Sequence, residues 1–335
     1  MILHPGILAL LVGSAIVLAM MAYAGWIAVR VLRMWDFDSS SAEQLALERR
    51  TYLASTLASF ALGFQVVAAL LFLFTVDDIH ELFVGAMCAT GSLNANPIGW
   101  TALAIKVLVL IVAPIWIVFD RLDRRAGDFP IIKLKFLALL LMVPLMAADL
   151  VLQVSYFTGL DPEIITSCCG ALFSESGSTL ASEVASLPVR PMLVAFYTVA
   201  ALFLATGLAC LVSRSRLLRY LLAGLSLLIL VVSMASIVSF LSLYVYELPT
   251  HHCPFDMLQG QYAFIGYPIY LFLFAAVFFG LLPGLSQPLR RLPSLAGLIA
   301  DAEASWLTLG VVSMMAFVCV ASWKVIFGSL TMVGY

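Results

Sequence analysis

Thiol and imidazole side chains, which bind metals and exchange electrons, occupy a restricted set of positions in this chain. Its 335 residues include six cysteines and four histidines. Cysteine thiolates and histidine imidazoles are common protein ligands of copper, zinc and iron, and the thiolate is also the nucleophile of disulfide exchange. Seven of these ten residues lie in three segments between apolar stretches: His80, Cys88, Cys168, Cys169, His251, His252 and Cys253.

The segment Cys253-Pro254-Phe255-Asp256 has the form of a Cys-Pro-x-Cys dithiol in which Asp256 replaces the second cysteine. Such dithiols work because a thiolate is a better nucleophile and leaving group than a thiol. Cationic His251 and His252 would favour the thiolate of Cys253, whereas Asp256 would oppose it. Because the local resolving cysteine is missing, another segment would have to supply one.

Cys88, Cys168 and Cys169 are the candidates for that partner. We expect Cys88 and Cys253 to be the reactive or ligating pair and Cys168 and Cys169 to exchange with it, so all four are candidate catalytic residues. The structural alternative is that the four thiols form two disulfides or stay inert. A bridge between Cys168 and Cys169 would be a strained ring, which makes these two poor partners for each other.

The same groups also offer a metal site. We expect His80, His251, His252 and Cys253 to bind a soft metal, with copper, zinc and haem iron as the candidate cofactors. The spacings match no compact zinc finger, and the sequence contains no Cys-x-x-Cys-His haem-attachment motif. Thiol redox chemistry and metal binding are therefore both open interpretations of these residues.

Lys106, Asp149 and Gln153 form a second candidate site because each falls inside an apolar stretch. Lys106 is seven residues past Gly99, a depth of roughly 10 Å at about 1.5 Å per residue. Asp149, nine residues before Thr158, lies slightly deeper, so the long lysine side chain can reach it. An ion pair inside a membrane is by default a functional hypothesis, here a cofactor-binding or transport site. The structural alternative is a pair that fastens two helices together.

The elements that must position these groups are membrane helices. Hydrophobic residues make up 63% of the chain and charged residues only 11%, with a mean hydropathy of +1.09 and a net charge of −2. These values exclude a soluble globular protein, a disordered chain and a nucleic-acid binder. Since a membrane-spanning helix needs about 20 apolar residues, we predict an all-α polytopic integral membrane protein with eight transmembrane helices. The predicted spans are 7–32, 51–75, 98–119, 134–158, 191–213, 220–245, 262–284 and 304–330.

Basic residues predict the orientation of these spans. The first, third, fifth and seventh connections hold 14 of the 17 lysines and arginines. The positive-inside rule places these connections in the cytoplasm and both termini outside, for a multi-pass protein of the plasma (inner) membrane. All four histidines and four of the six cysteines then face the extracytoplasmic side, which is an oxidising compartment. The 14 residues are Arg30, Arg33, Arg49, Arg50, Arg121, Arg124, Arg125, Lys133, Lys135, Arg214, Arg216, Arg219, Arg290 and Arg291.

The two halves of the chain share markers at similar spacing. Tyr52 and Tyr220 lie at the starts of the second and sixth spans, and Ile98 and Ile265 follow 46 and 45 residues later. We interpret this as a duplication, although hydrophobic hairpins can also resemble each other by chance. Two parallel repeats would be related by an axis along the membrane normal, and sites usually form where repeats meet. The predicted parts are a first four-span repeat in 1–160, an extracytoplasmic cysteine-containing loop in 161–190 and a second four-span repeat in 191–335.

These observations predict a membrane subunit that handles redox equivalents or a soft metal at its extracytoplasmic face, within a larger complex. Whether it is an enzyme stays open. The expected partners are the lipid bilayer, an extracytoplasmic redox protein such as a thioredoxin-like protein or a cytochrome, and other membrane subunits, but no nucleic acid. The alternative is a secondary transporter or permease component whose path follows the repeat axis past Lys106 and Asp149. A scaffold helix bundle without an open cavity is a third interpretation.

Overall fold

The computed structural model describes residues 2–37, 39, 41–161, 163, 166 and 180–330. Eight helices in these residues are long and apolar enough to cross a membrane, and the same residues contain no β-strand. This confirms the all-α polytopic fold and its contact with a lipid bilayer. The spans are α1 (Pro5–Met34), α2 (Ala42–Asp78), α3 (Gly99–Ala126), α4 (Ile132–Thr158), α5 (Val189–Val212), α6 (Arg216–Tyr246), α7 (Gly266–Leu285) and α8 (Pro293–Phe327).

Several helices extend beyond the apolar stretches that predict them. α2 begins at Ala42 rather than at 51, and Ser41 caps it because its Oγ accepts a hydrogen bond from the N–H of Gln44 at 3.2 Å. α8 begins at Pro293 rather than at 304, and proline suits a first turn because its missing N–H breaks no helical hydrogen bond there. Hydropathy detects only the part of a helix that hydrocarbon can surround, so polar turns at the helix ends escape it.

The chain divides into two compact units, each with four spans. Unit 1 comprises Met1–Phe83 and Ser92–Ile164, and unit 2 comprises Val84–Gly91 and Ile165–Tyr335. In unit 1, α1 contacts α2, α2 contacts α3, α3 contacts α4, and α4 returns to α1. In unit 2 the same cyclic order joins α5, α6, α7 and α8. A duplicated sequence would produce two rings with one order, and the duplication itself stays a prediction.

Aromatic rings and a glycine lie at the helix contacts of unit 2. The ring of Phe196 on α5 packs edge-on against Phe317 on α8, with centroids 5.7 Å apart. At Gly280 on α7, a Cβ would lie 2.3 Å from the Oγ of Ser226 and 2.9 Å from a ring carbon of Phe203. Only a residue without a side chain fits there, so Gly280 sets the spacing of α7 from α5 and α6.

Buried ion pairs close the end of each unit that carries the basic connections, which we call the basic end. In unit 1, Nζ of Lys135 lies 3.1 Å from Oδ1 of Asp120 and 2.7 Å from Oδ2 of Asp123. In unit 2, a guanidinium nitrogen of Arg290 lies 2.7 Å from Oε2 of Glu303. The three carboxylates are 0–3% exposed. The cluster of unit 1 joins its third span to its fourth, and the cluster of unit 2 joins the turn after its third span to its fourth.

These two junctions occupy corresponding places with reversed charge. Asp123 and Arg290 each lie 24 residues after the first residue of the third span of their unit (99 to 123 and 266 to 290). Lys135 and Glu303 lie 23 and 24 residues before the last residue of the fourth span (158 and 327). Unit 1 thus pairs an acidic third span with a basic fourth span, and unit 2 pairs a basic third segment with an acidic fourth span.

Candidate functional sites

The first candidate site, which we call the thiol site, consists of Cys88, Thr90, Cys253 and Asp256 in unit 2. Cys88 lies directly before the short helix Ala89–Asn94, while Cys253 and Asp256 lie in the connection between α6 and α7. The sulfur atoms of Cys88 and Cys253 are 3.4 Å apart, and both side chains are 0% exposed. The structure therefore brings together the two cysteines that the sequence analysis selects as a pair.

A glycine shapes the backbone before Cys88. Gly85 has a φ of 89°, and a Cβ at this position would lie 2.6 Å from the carbonyl oxygen of Thr166. The N–H of Thr166 donates to the carbonyl oxygen of Val84 at 3.0 Å. Glycine alone tolerates both the left-handed conformation and this close approach, so Gly85 sets the turn that leads to Cys88.

Three further groups contact the sulfur of Cys253. Its thiol donates to Oδ1 of Asp256 across 3.4 Å, and the backbone N–H of Phe255 approaches the sulfur at 3.4 Å. The Oγ1 of Thr90 lies 3.5 Å away. The N–H donor favours a thiolate at Cys253, whereas the negative charge of Asp256 opposes it. The hydrogen bond from the protonated thiol holds the Asp256 carboxylate beside the sulfur.

Asp256 links this buried sulfur to a more exposed imidazole. Its Oδ2 contacts Nε2 of His251, whose side chain is 26% exposed. Burial raises the pKa of the neighbouring Tyr262, and its electrostatic interactions with Asp256 and Cys253 raise it further. The series Cys253, Asp256, His251 is a path along which a proton can leave the buried thiol for water.

Two tyrosines hold the connection that carries Cys253. The hydroxyl of Tyr246 donates to the carbonyl oxygen of Cys253 at 2.5 Å and accepts from the N–H of Met257 at 2.9 Å. The hydroxyl of Tyr270 donates to the carbonyl oxygen of Pro254 at 2.7 Å. Neither tyrosine stands out in the sequence, because aromatic residues at span ends are ordinary in membrane proteins.

His252 contacts an irregular turn of α6. The helix contains a π-helical turn at Ile237–Leu241, and Nδ1 of His252 lies 2.8 Å from the carbonyl oxygen of Val238 in that turn. With the hydrogen on Nδ1 as donor, Nε2 is the nitrogen with a lone pair to offer. Turns of this kind inside α-helices frequently accompany functional sites.

Three other predicted site residues belong to unit 1 or lie outside the described residues. His80 is part of the 3₁₀ turn Ile79–Leu82 of unit 1, where its Nδ1 contacts the carbonyl oxygen of Asp77. Cys168 and Cys169 lie outside the described residues. Their predicted exchange with the thiol site stays a prediction.

The thiol site has the dimensions of a metal site. Among the described residues, the ligand atoms of Cys88, Cys253 and Asp256 all lie within 4.8 Å of one another. A tetrahedral metal with bonds of about 2.3 Å to sulfur holds two sulfurs roughly 3.8 Å apart, and a disulfide requires about 2.05 Å. The sulfur atoms of Cys88 and Cys253 are 3.4 Å apart. They would have to move apart slightly to bind a metal and to approach each other by a larger distance to form a disulfide.

The second candidate site, which we call the polar site, lies inside unit 1 and joins Ser14, Gln65, Lys106, Asp149 and Gln153, all 0–1% exposed. Oδ2 of Asp149 accepts from Nζ of Lys106 at 2.8 Å and from Nε2 of Gln153 at 2.7 Å. Nε2 of Gln65 lies 3.3 Å from the same oxygen, and Gln153 also donates to Oγ of Ser14 at 3.1 Å. The three residues selected from the sequence thus meet, and Ser14 and Gln65 complete the site.

Two acceptor oxygens of the polar site receive no hydrogen bond from the described residues. They are Oδ1 of Asp149 and Oε1 of Gln153, and both atoms are buried. Leaving a buried acceptor without a donor costs about 1–3 kcal/mol, and such atoms in native proteins call for a water, an ion or a functional role. The polar site can therefore take up a proton or a small hydrogen-bond donor.

Unit 2 carries apolar residues where the predicted duplication would repeat the polar site. Lys106 and Leu273 each lie seven residues after the start of the third span of their unit (99 to 106 and 266 to 273). Asp149 and Phe317 each follow the fourth-span member of the basic-end ion pair by 14 residues (135 to 149 and 303 to 317). Leu273 and Phe317 are 0% exposed. A ring of four spans can therefore pack without a polar site. This favours a functional rather than a structural role for the polar site of unit 1.

Eight apolar helices define a multi-pass membrane protein. Comparison of the chain with known protein families, with characterised proteins and with solved structures finds no match. The thiol site and the polar site are therefore the features that bear on function.

Proposed function

We propose that the chain is an integral membrane subunit that handles a soft metal or redox equivalents at the thiol site. The observation that supports this is the contact of Cys88 with Cys253 at 3.4 Å between sulfurs, with Oδ1 of Asp256 at 3.4 Å from the second sulfur. Together these residues offer two sulfur atoms and one carboxylate oxygen to a metal ion. The proposed partners are an extracytoplasmic protein that carries the metal or the electrons, and other membrane subunits.

The burial of the two sulfur atoms favours metal binding over disulfide exchange. Disulfide exchange requires a partner's thiolate to reach a sulfur atom, and the side chains of Cys88 and Cys253 are 0% exposed. A metal ion is small enough to enter a buried site, and thiolates suit Cu(I) and Zn(II). The proposed ligands are the two sulfurs and a carboxylate oxygen of Asp256.

His251 would act through Asp256 rather than as a ligand. Metal binding requires deprotonated thiols, so it releases protons. His251 contacts the carboxylate oxygen that does not face Cys253, which allows it to orient the carboxylate and to pass those protons to water. Its replacement should weaken metal binding about 10- to 100-fold without removing a ligand.

The test counts metal bound to the purified protein. Wild type and the C88S/C253S variant are loaded with Zn(II), or with Cu(I) under anaerobic conditions, desalted and analysed for metal per chain. The matched control is C210S/C319S, which removes the same number of thiols from α5 and α8. We expect about one ion in wild type and control and none in C88S/C253S. A full equivalent in C88S/C253S would contradict the proposal.

Thiol alkylation of intact membranes separates metal binding from redox chemistry. A metal protects Cys88 and Cys253 until a chelator removes it, and no reductant is needed for labelling. A disulfide protects them until a reductant is added, whatever the chelator. Protection lifted only by reductant would assign the thiol site to disulfide chemistry. Labelling without either treatment would contradict both chemistries, as would protection that only denaturation of the protein lifts, since burial alone would then shield the two sulfurs.

We further infer that the thiol site faces the extracytoplasmic side of the plasma membrane, with both termini on that side. The basic connections support this orientation. The experiment fuses a reporter that is active only after export at Ser39, in the first connection, and at Gly127, in the third. Both fusions should be inactive, and activity of either one would reverse the orientation.

A second candidate function, a secondary transporter or permease component, is supported by the polar site. Oδ1 of Asp149 and Oε1 of Gln153 are buried acceptors without a donor in the described residues, and a buried carboxylate with such an oxygen can bind and release a proton. Proton entry into proteoliposomes under an imposed potential, followed with a pH-sensitive dye, tests this. We expect flux in wild type and in C88S/C253S and its loss in Asp149→Asn. Wild-type flux equal to that of empty liposomes would refute the transporter.

A further inference from the structure

A cleft of about 700 Å³ lies at the basic end of unit 2. It is bounded by the end of α5, by the turn into α6 and by the first turns of α8, and none of its lining residues belongs to the thiol site. We call it the basic cleft because four arginines and a single glutamate line it: Arg214, Arg216, Arg219, Arg290 and Glu303.

Two of these arginines form a fixed floor. Glu303 is 3% exposed, and its two oxygens contact Arg219 and Arg290 separately, the second at 2.7 Å. Arg219 also donates to the carbonyl oxygen of Ser215 at 2.9 Å. Because one carboxylate faces two guanidinium groups, the floor keeps one unit of positive charge.

The other two arginines stand at the mouth. Arg214 and Arg216 are exposed, and neither forms an ion pair within the described residues. With the floor they give the basic cleft a formal charge of +3, from four arginines and one glutamate. Guanidinium groups form strong charge-assisted hydrogen bonds with phosphate oxygens, so the cleft suits a phosphate anion.

One wall of the cleft is apolar. Ala296, Ala300 and Ala304 follow one another at four-residue spacing and therefore share one face of α8. Ala300 and Ala304 are exposed, as is Val212 at the end of α5. The alanines leave a shallow groove that runs from the arginines along the helix, toward the middle of the span.

We propose that the basic cleft binds the headgroup of an acidic phospholipid. The phosphate would lie between Arg214 and Arg216 above the floor, and an acyl chain would cover Ala300 and Ala304. A free phosphate ion shares the headgroup chemistry but would leave the apolar wall uncovered. Basic pockets between membrane helices are a known form of headgroup site, and this one is independent of the proposed function.

The test measures lipid bound to delipidated protein in a non-ionic detergent by native mass spectrometry. The probes are phosphatidylglycerol, phosphatidylcholine with the same acyl chains, and inorganic phosphate. The variant R214Q/R216Q removes the mouth charges and leaves the floor intact. Its matched control is R49Q/R50Q, which removes two exposed arginines from the basic end of unit 1. We expect phosphatidylglycerol to bind R214Q/R216Q about thirty-fold more weakly than wild type and the control unchanged.

A second variant distinguishes a lipid from a free anion. Ala300→Phe with Ala304→Phe fills the apolar groove and leaves every arginine in place. We expect it to lose phosphatidylglycerol and to keep whatever weak affinity the cleft has for inorganic phosphate. Equal phosphatidylglycerol binding by wild type and R214Q/R216Q would overturn the proposal, as would equal binding of the two lipids by wild type. Phosphate binding as tight as lipid binding, and unaffected by the phenylalanines, would assign a free anion instead.

Discussion

Replacing Lys106 by methionine should destabilise the protein strongly, because it leaves the Asp149 carboxylate buried without its cationic partner. Nζ of Lys106 lies 2.8 Å from Oδ2 of Asp149, and both side chains are 1% exposed. Removing one member of a buried pair costs about 3–5 kcal/mol. Gln65 and Gln153 still donate to the same oxygen, so we expect the free energy of unfolding to fall by about 3 kcal/mol, the lower end of that range.

Removing both charges should cost less than removing one. A well-packed apolar pair in place of a buried ion pair is often neutral or stabilising, and here the two glutamines lose their acceptor, at about 1 kcal/mol each. We therefore expect the double variant K106M/D149L to lie closer to wild type than K106M does. The exposed Lys133, near the first residue of α4, provides the control, since Lys133→Met should change stability by under about 0.5 kcal/mol.

The assay is unfolding of the purified protein in mixed micelles by titration with a denaturing detergent, followed by tryptophan fluorescence. Wild type, K106M, K106M/D149L and K133M are compared under one condition. A loss under about 1 kcal/mol for K106M would refute the reasoning, because Lys106 is the one cation that pairs with this buried carboxylate among the described residues. A double variant that is less stable than the single one would refute the coupling between the two charges.

Two further outcomes are expected from thermal unfolding. Gly280→Ala should lower the stability by about 1–3 kcal/mol because the new Cβ overlaps neighbouring side chains, whereas Gly63→Ala, which meets nothing within 4 Å, should leave it unchanged or slightly higher. Hydrogen bonds from Ser329 and Lys324, with the charge of Lys324, hold the pKa of Glu247 below its usual 4.5. This contact therefore stabilises the fold above pH 4.5 and is lost as the pH falls through the lowered pKa, so the melting temperature of Glu247→Gln should fall less on acidification than that of wild type. Equal melting temperatures for the two glycine variants, or equal acid responses of Glu247→Gln and wild type, would contradict these expectations.

The fold could be predicted from hydropathy because a membrane helix must satisfy its own backbone inside lipid. The ends of the helices could not be predicted from hydropathy. Turns outside the hydrocarbon layer are set by local capping hydrogen bonds instead, such as the one that Ser41 accepts at the start of α2. Lys135 illustrates a deeper limit. In the sequence this lysine belongs to the basic flanks of the third connection, but the structure buries its amine between Asp120 and Asp123. A charge count cannot tell a solvated lysine from one that joins two helices.

The polar site could be predicted in part because depth along a helix is simple geometry. Counting residues from the span ends places Lys106 within reach of Asp149, and the structure pairs them at 2.8 Å. The contact of Gln65 with Asp149 could not be predicted, because nothing in the sequence indicates which neighbour a single glutamine in an apolar span will contact. The link from Asp256 to His251 escaped because it depends on how an irregular connection folds back on itself, and no periodic pattern reports that.

The reversed charges at the two basic ends bear on how the helices find their neighbours during insertion. The third span of unit 1 presents Asp123 to its fourth span, and the segment after the third span of unit 2 presents Arg290 to Glu303. If a newly inserted helix paired with the counterpart from the other half, Asp123 would meet Glu303, or Arg290 would meet Lys135. Two like charges would then be shut away from water, at a cost of several kcal/mol. The opposite polarity therefore favours pairing of each fourth span with the third span of its own unit.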